Sequence, residues 1–326
     1  MTQQHPMNRT PDAGTDSAPT ANTAPLTALI VGASGFNGRA LARRLTAGGH
    51  RVRGLVRNTA TAPIGLDEVV RGDAVTGEGL QRALTGVDVA YYFVHSLDPG
   101  PGSTDERDVR AAHTFAATAA AEGVPRVVYL TTLAPPAGQA APAYQHNRLS
   151  VEHIFRERIE GAVVLRCPMV LGSGSRALRP YVRLVHRLPV IPLGPWRHNR
   201  IAVVDAHTVA ECLLAAATAD ATGSWDVPAS AQPTHQQLVE QIADALGLRR
   251  TTLPLPVSNA TIEARLIAAI TGESYNFSRI FVTTNKFDYT VDPARRVPFP
   301  NIIPQSGAAA VSAAVLNWTD SPRYRN

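Results

Sequence analysis

Three features of the sequence combine residue types and spacings suited to chemistry. The first is Gly32-Ala33-Ser34-Gly35-Phe36-Asn37-Gly38, with three glycines at three-residue intervals. Between a strand and a helix, such a turn cradles a dinucleotide pyrophosphate. Gly32 permits a tight exit from the strand, Gly35 admits the phosphates to the backbone N–H groups, and Gly38 lets the helix sit close to the sheet. Ser34, Phe36 and Asn37 complete the cofactor-binding turn, and the helix N-terminus adds free donors and partial positive charge. The competing reading is a glycine-rich turn with no ligand. The second feature is Arg57, at the end of the second apolar run, where NAD-specific sites carry Asp or Glu for the ribose 2′-OH. A guanidinium there pairs with a 2′-phosphate, so the expected cofactor is NADP(H), with NAD(H) the second possibility. Arg57 read as a solvated surface residue is the alternative. The third is His95, just past another apolar run, where it could line a nicotinamide pocket or carry a proton. It could equally be a hydrogen-bonded structural histidine.

These residues need elements to position them. Leu26 to Val31 is an apolar run ending at Gly32, as expected of a strand buried on both faces. A helix over 39–47 ends at Gly48-Gly49, and strands follow over 51–56 and 87–94. An Ala-rich helix spans 105–122, a strand 126–132, a helix 145–160, and a strand 162–166 that Pro168 ends. This alternation predicts an α/β fold, a Rossmann-type doubly wound parallel sheet with helices on both faces. Beyond Gly172 the texture changes. An Arg-rich helix is expected over 176–188, a strand over 201–204, and helices over 206–219, 236–246 and 258–271. Tyr181 and His186 are placed toward the cleft, and Trp196-Arg197-His198-Asn199-Arg200 is expected to be loop surface. The expected organisation is a disordered leader over 1–25, a nucleotide-binding core over 26–172, and substrate-side segments over 173–326, interleaved with the core.

Composition narrows the partners. The 326 residues are 44% hydrophobic and 17% charged, with a net charge of +5 spread along the chain. That pattern fits a soluble protein that binds an anionic cofactor and speaks against a nucleic-acid surface. Cys167 and Cys212 lie far apart with no CxxC partner, so neither a disulfide framework nor a zinc site is expected. No apolar run is long enough for a membrane span, and the leader lacks a secretory pattern. A cytoplasmic monomer or homodimer is expected.

The residues also resemble the atypical and extended short-chain dehydrogenase/reductase superfamily, in its NmrA-like and YbjT-like branch. The resemblance rests on the glycine turn, Arg71-Gly72-Asp73, Tyr91-Tyr92-Phe93-Val94-His95-Ser96-Leu97, Asp105-Glu106-Arg107-Asp108, Val128-Tyr129-Leu130-Thr131-Thr132-Leu133 and Leu165-Arg166-Cys167-Pro168-Met169-Val170-Leu171-Gly172. It continues through Ile201-Ala202-Val203-Val204-Asp205 and Gly223-Ser224-Trp225-Asp226-Val227-Pro228. It implies adenine contact by Asp73 and cofactor contact at Val94, Pro168 and Met169. It also implies a Tyr acid/base, a Lys four residues later and a hydroxyl on the preceding strand. Here the set is Tyr144, Arg148 and Thr131 or Thr132, with Arg in place of Lys; Arg148 could stabilise a tyrosinate and reach the nicotinamide ribose. Tyr144 could otherwise be a loop residue capping the next helix. The implied activity is NADP(H)-dependent hydride transfer to or from a small carbonyl or enone-like substrate. The alternatives are an NADP(H) sensor without turnover and a non-redox epimerase or dehydratase that retains its dinucleotide.

Overall fold

Apolar runs alternating with helical segments build one parallel sheet. The computed structural model describes residues 24–95, 104–136, 138–139, 141–256, 259–299 and 301–319. Of the expected leader, residues 1–23 lie outside this range, as do Ser96 and Leu97. In chain order the first half runs β1 (Thr27–Val31), α1 (Phe36–Ala47), β2 (Arg51–Val56), β3 (Glu68–Arg71), α2 (Leu80–Leu84), β4 (Val89–Tyr92), α3 (Thr104–Ala121), β5 (Arg126–Thr132), α4 (Ala143–Arg158) and β6 (Ala162–Cys167). The second half runs β7 (Met169–Leu171), α5 (Arg179–Arg187), β8 (Val190–Leu193), β9 (Val203–Asp205), α6 (Ala206–Thr218), β10 (Gly223–Asp226), α7 (His235–Ala245), β11 (Thr251–Pro254), α8 (Ala260–Thr271), α9 (Tyr275–Thr284) and α10 (Gly307–Thr319).

The main sheet has seven strands in the order β3-β2-β1-β4-β5-β6-β10, with every pair parallel. Alternate strand residues face opposite layers. Leu29, Tyr92 and Tyr129 pack with Phe115 and Phe155 from α3 and α4. Ile30, Tyr91 and Val128 pack with Leu41 from α1 and Leu213 from α6 on the other face. Both faces are covered, so the strands read as unbroken apolar runs. The chain order reverses between β1 and β4, and that switch point opens a crevice at the carboxyl ends of the strands.

The register decides what reaches the crevice. Val31 pairs with Tyr92, and Tyr92 with Tyr129. Gly32 and Phe93 therefore leave the sheet side by side. β5 continues three residues further, carrying Thr131 and Thr132 past the end of β4. Pro168 then interrupts the sixth strand, and Met169 onward pairs with β9 instead.

The later segments form a third apolar cluster from α5, β8, α7, α8, α9 and α10. Here the structure departs from the sequence expectations. Trp196 is buried, not loop surface, and its indole Nε1 donates to Glu263 Oε2 at 2.7 Å. Tyr181 does not face the cleft. It is buried with its hydroxyl 2.7 Å from His235 Nδ1, and Asn285 Nδ2 donates to that hydroxyl at 3.1 Å. His186 is exposed. The arginines of α5 serve the end of α8: Arg183 and Arg187 donate to the carbonyls of Thr271 and Ile270, where the helix dipole favours cations. Arg176, Arg179 and Arg183 all approach the buried Glu273.

Burial pushes the His235 imidazole down to about 3. The folded chain thus binds fewer protons here than the unfolded chain. The stability from neutral His235 is complete above about pH 6.5 and is lost as pH falls toward 3. The melting temperature is expected to fall over this window, and less steeply in His235→Gln. Equal slopes in the two proteins would assign the loss to other groups.

Candidate cofactor and active site

The turn after β1 has the geometry that a bound diphosphate requires. Gly32 adopts φ +91°, where an L side chain is strained, and a Cβ on Gly38 would stand 2.5 Å from the Gly32 carbonyl oxygen. Gly35 is the N-cap of α1 and supplies no side-chain hydrogen bond, and the first turn holds no acid. The first amides of the helix are therefore left for an anion. Phe36 lays its ring on the loop after β7, where a Cβ on Gly172 or Gly174 would come within 2.6 or 2.7 Å of it. The cradle is thereby tied to the opposite wall of the crevice.

Arg57 stands exposed just past β2. Arg39, absent from the sequence expectations, joins it: its Nε donates to the Ser34 carbonyl and its Nη2 to the Thr61 carbonyl, both at 2.9 Å. One guanidinium thus bridges the phosphate turn and the segment following Arg57. A cation in the first turn of a helix, where acids are favoured, was the available signal. Asp73 is half-buried after β3, and its Oδ1 accepts from the Val75 amide at 2.7 Å. Val94 and Met169 are half-buried, whereas Pro168 is buried.

Tyr144 is the second residue of α4 and half-buried, so it does not cap the helix; Pro142 holds the N-cap position. Arg148 lies one turn on, its Cζ 5.1 Å from the Tyr144 ring centroid. It is buried, and its guanidinium meets Asp108 of α3 at 2.6 Å, while Asn147 Nδ2 donates to the same carboxylate oxygen at 3.0 Å. The guanidinium therefore lies beneath the tyrosine, turned toward Asp108. Breaking such a buried pair from one side typically costs about 3–5 kcal/mol. Asp108 and Asn147 were not among the expected site residues; a partner some forty positions away leaves no local signal. Thr132 Oγ1 is buried with no hydrogen-bond partner among the described residues, and the buried Tyr129 hydroxyl faces Thr131 and Arg148. They form a polar floor able to receive the polar edge of a ligand.

His95 follows β4 at the carboxyl edge of the sheet. Desolvation by burial, followed by the field of Arg148, pushes its imidazole down to about 4, against the opposing pull of Asp108. At neutral pH it presents an uncharged ring. Burial pushes the phenols of Tyr92 and Tyr129 upward, so the floor stays protonated. Among the described residues no group of three His, Cys, Asp or Glu could hold a metal, and no helix is long and apolar enough to cross a membrane.

Comparisons with known proteins agree with this geometry. Residues 32–166 match a family model described as NAD(P)H-binding. A ceramide reductase of Caulobacter vibrioides is 30% identical over 196 residues, covering 57% of this chain and 59% of that protein. The chain thus spans less than two thirds of that relative's length. The dTDP-glucose 4,6-dehydratase DesIV of Streptomyces venezuelae, solved with NAD and TYD, superposes with a TM-score of 0.69 at 19% identity over 91% of this chain and 98% of its own. The Bordetella bronchiseptica enzyme WbmH in complex with NAD+ gives a TM-score of 0.69 at 15% identity over 91% and 99%. The chain thus carries an NAD(P)H-binding domain over residues 32–166, with a Rossmann-type fold and a nicotinamide dinucleotide as its cofactor.

Gly38→Ala would drive a Cβ into the turn and is expected to destabilise the protein by about 1–3 kcal/mol while weakening NADPH binding. Thermal melts with and without NADPH check this. An unchanged melting temperature and affinity would show that the helix does not need its close approach.

Proposed function

We propose that the protein is an NADP(H)-dependent oxidoreductase acting on a small carbonyl or enone-like compound, with Tyr144 as the proton donor. What supports this reading is Tyr144 set over Arg148 and beside Tyr129 of β5, the strand that carries Thr131 and Thr132 to the sheet edge where the Gly32 turn also begins. Bound there, the nicotinamide supplies or accepts the hydride. Tyr144 gives its hydroxyl proton to the substrate oxygen as that oxygen gains charge. Thr131 or Thr132 donates a hydrogen bond that orients the same oxygen. Arg148, beneath the ring, offsets the negative charge left on Tyr144. His95, uncharged at neutral pH, borders the substrate side of the crevice and orients the substrate. Arg57 and Arg39 select the phosphorylated dinucleotide, while Asp73 contacts the adenine. Reduction is also the activity in the name of the Caulobacter vibrioides relative, which supports a carbonyl substrate.

A second reading has its own support. Four residues after Tyr144 stands Arg148, a buried cation already paired with Asp108. This favours a protein that binds NADP(H) and senses it without turnover.

Tyr144→Phe is expected to lower kcat/KM by about 10²–10⁴ in NADPH oxidation with a carbonyl substrate, while NADPH affinity holds. A fully active variant would move the proton to another group. Arg57→Asp is expected to weaken NADPH far more than NADH in calorimetric titration. Equal losses would remove the 2′-phosphate role.

A further inference from the structure

Resting on the enzymatic reading above, we propose that Asp108 is a positioning residue: it holds Arg148 beneath the Tyr144 ring and offsets part of the charge that the cation lends to the site. An arginine is longer than a lysine, keeps its charge at every working pH and spreads that charge over a planar fork. Buried alone, it would be prohibitively unstable. The first half of α3 supplies the compensating carboxylate at 2.6 Å, and Asn147 fixes that carboxylate from α4 at 3.0 Å. Both charged groups are buried, so water does little to screen them. The guanidinium is held 5.1 Å from the centroid of the Tyr144 ring, close enough for the two groups to feel each other's charge. A cation so paired stabilises an anion on Tyr144 less than a single cation would, because the charge of Asp108 opposes it.

The other groups facing the pair do not obscure this. They are Tyr92 and His95 at the end of β4, Tyr129 on β5 and Arg176 after β7. Burial pushes the two tyrosines up and His95 down, so none of these groups changes charge near neutral pH.

The test uses the full-length protein. Asp108→Asn keeps the size of the side chain and an acceptor for Arg148 but removes the charge. The fall of kcat/KM at high pH is expected to begin about one unit lower in this variant, with NADPH affinity retained. Asp108→Glu, which restores the carboxylate, is expected to return the wild-type profile. An Asp108→Asn variant with a lower melting temperature but a wild-type pH profile would reduce the pair to a structural contact and overturn the proposal. If the wild-type protein reduces no carbonyl, the enzymatic reading fails, and NMR titration of His95 still judges the pair. Arg148→Gln should raise the His95 midpoint from about 4 by about half a unit or more. A folded Arg148→Gln protein with an unmoved His95 would show that the pair exerts no field in the crevice, which would also overturn the proposal.

Discussion

The structure depends on backbone amides offered to an anion where no side chain intervenes. At the start of α1 the chain withholds a capping side chain and an acidic residue, and three glycines keep the approach open. A helix end left this way is a local cost, because its donors lack intrahelical partners. The cost is offset when a diphosphate occupies the end. Much of the surrounding architecture serves that arrangement. The β1-β4 switch point opens the crevice, Phe36 closes against Gly172 and Gly174, and Arg39 ties the turn to the segment beyond β2.

The chemistry beside the cradle rests on charge in a dry place. Asp108 and Arg148 are buried together under a half-exposed tyrosine, above an aromatic floor in which Tyr92, Tyr129 and Phe155 pack edge to face or tilted. The buried hydroxyls of Tyr129, Thr131 and Thr132 line that floor. The combination differs from a lysine with a free ammonium. The charge is permanent but shared, and its position is set from two helices. Whether such a site turns substrate over or only senses cofactor depends on how much of the arginine's field survives its partner.

The sequence made the first half of the fold legible because its signals are local. Alternating apolar runs, Gly48-Gly49 and the glycine turn each act within a few residues, and the strand expected over 126–132 matches β5. Boundaries shifted where the turn itself became helix: α1 begins at Phe36, not Arg39, and β4 is only Val89–Tyr92. The C-terminal part was less legible. β7, β8, β11, α9 and α10 gave no clear periodicity, and their contacts are long-range. Trp196 sits among prolines and polar residues, yet it is buried because Glu263, far along the chain, accepts its N–H. In the site, Tyr144, Arg148 and the two threonines could be located from spacing and resemblance. Asp108 could not be assigned a role, since only the packing of α3 on α4 brings it to Arg148. The arginines of α5, given no role from the sequence beyond an Arg-rich helix, serve a helix end and a buried carboxylate.

The most direct measurement is amide NMR of the nitrogen-15-labelled protein during titration with NADPH. The account predicts that the Phe36, Asn37 and Gly38 amide resonances shift saturably and that these protons exchange more slowly with solvent. Binding that leaves these three amides unmoved, or no binding at all, would contradict it.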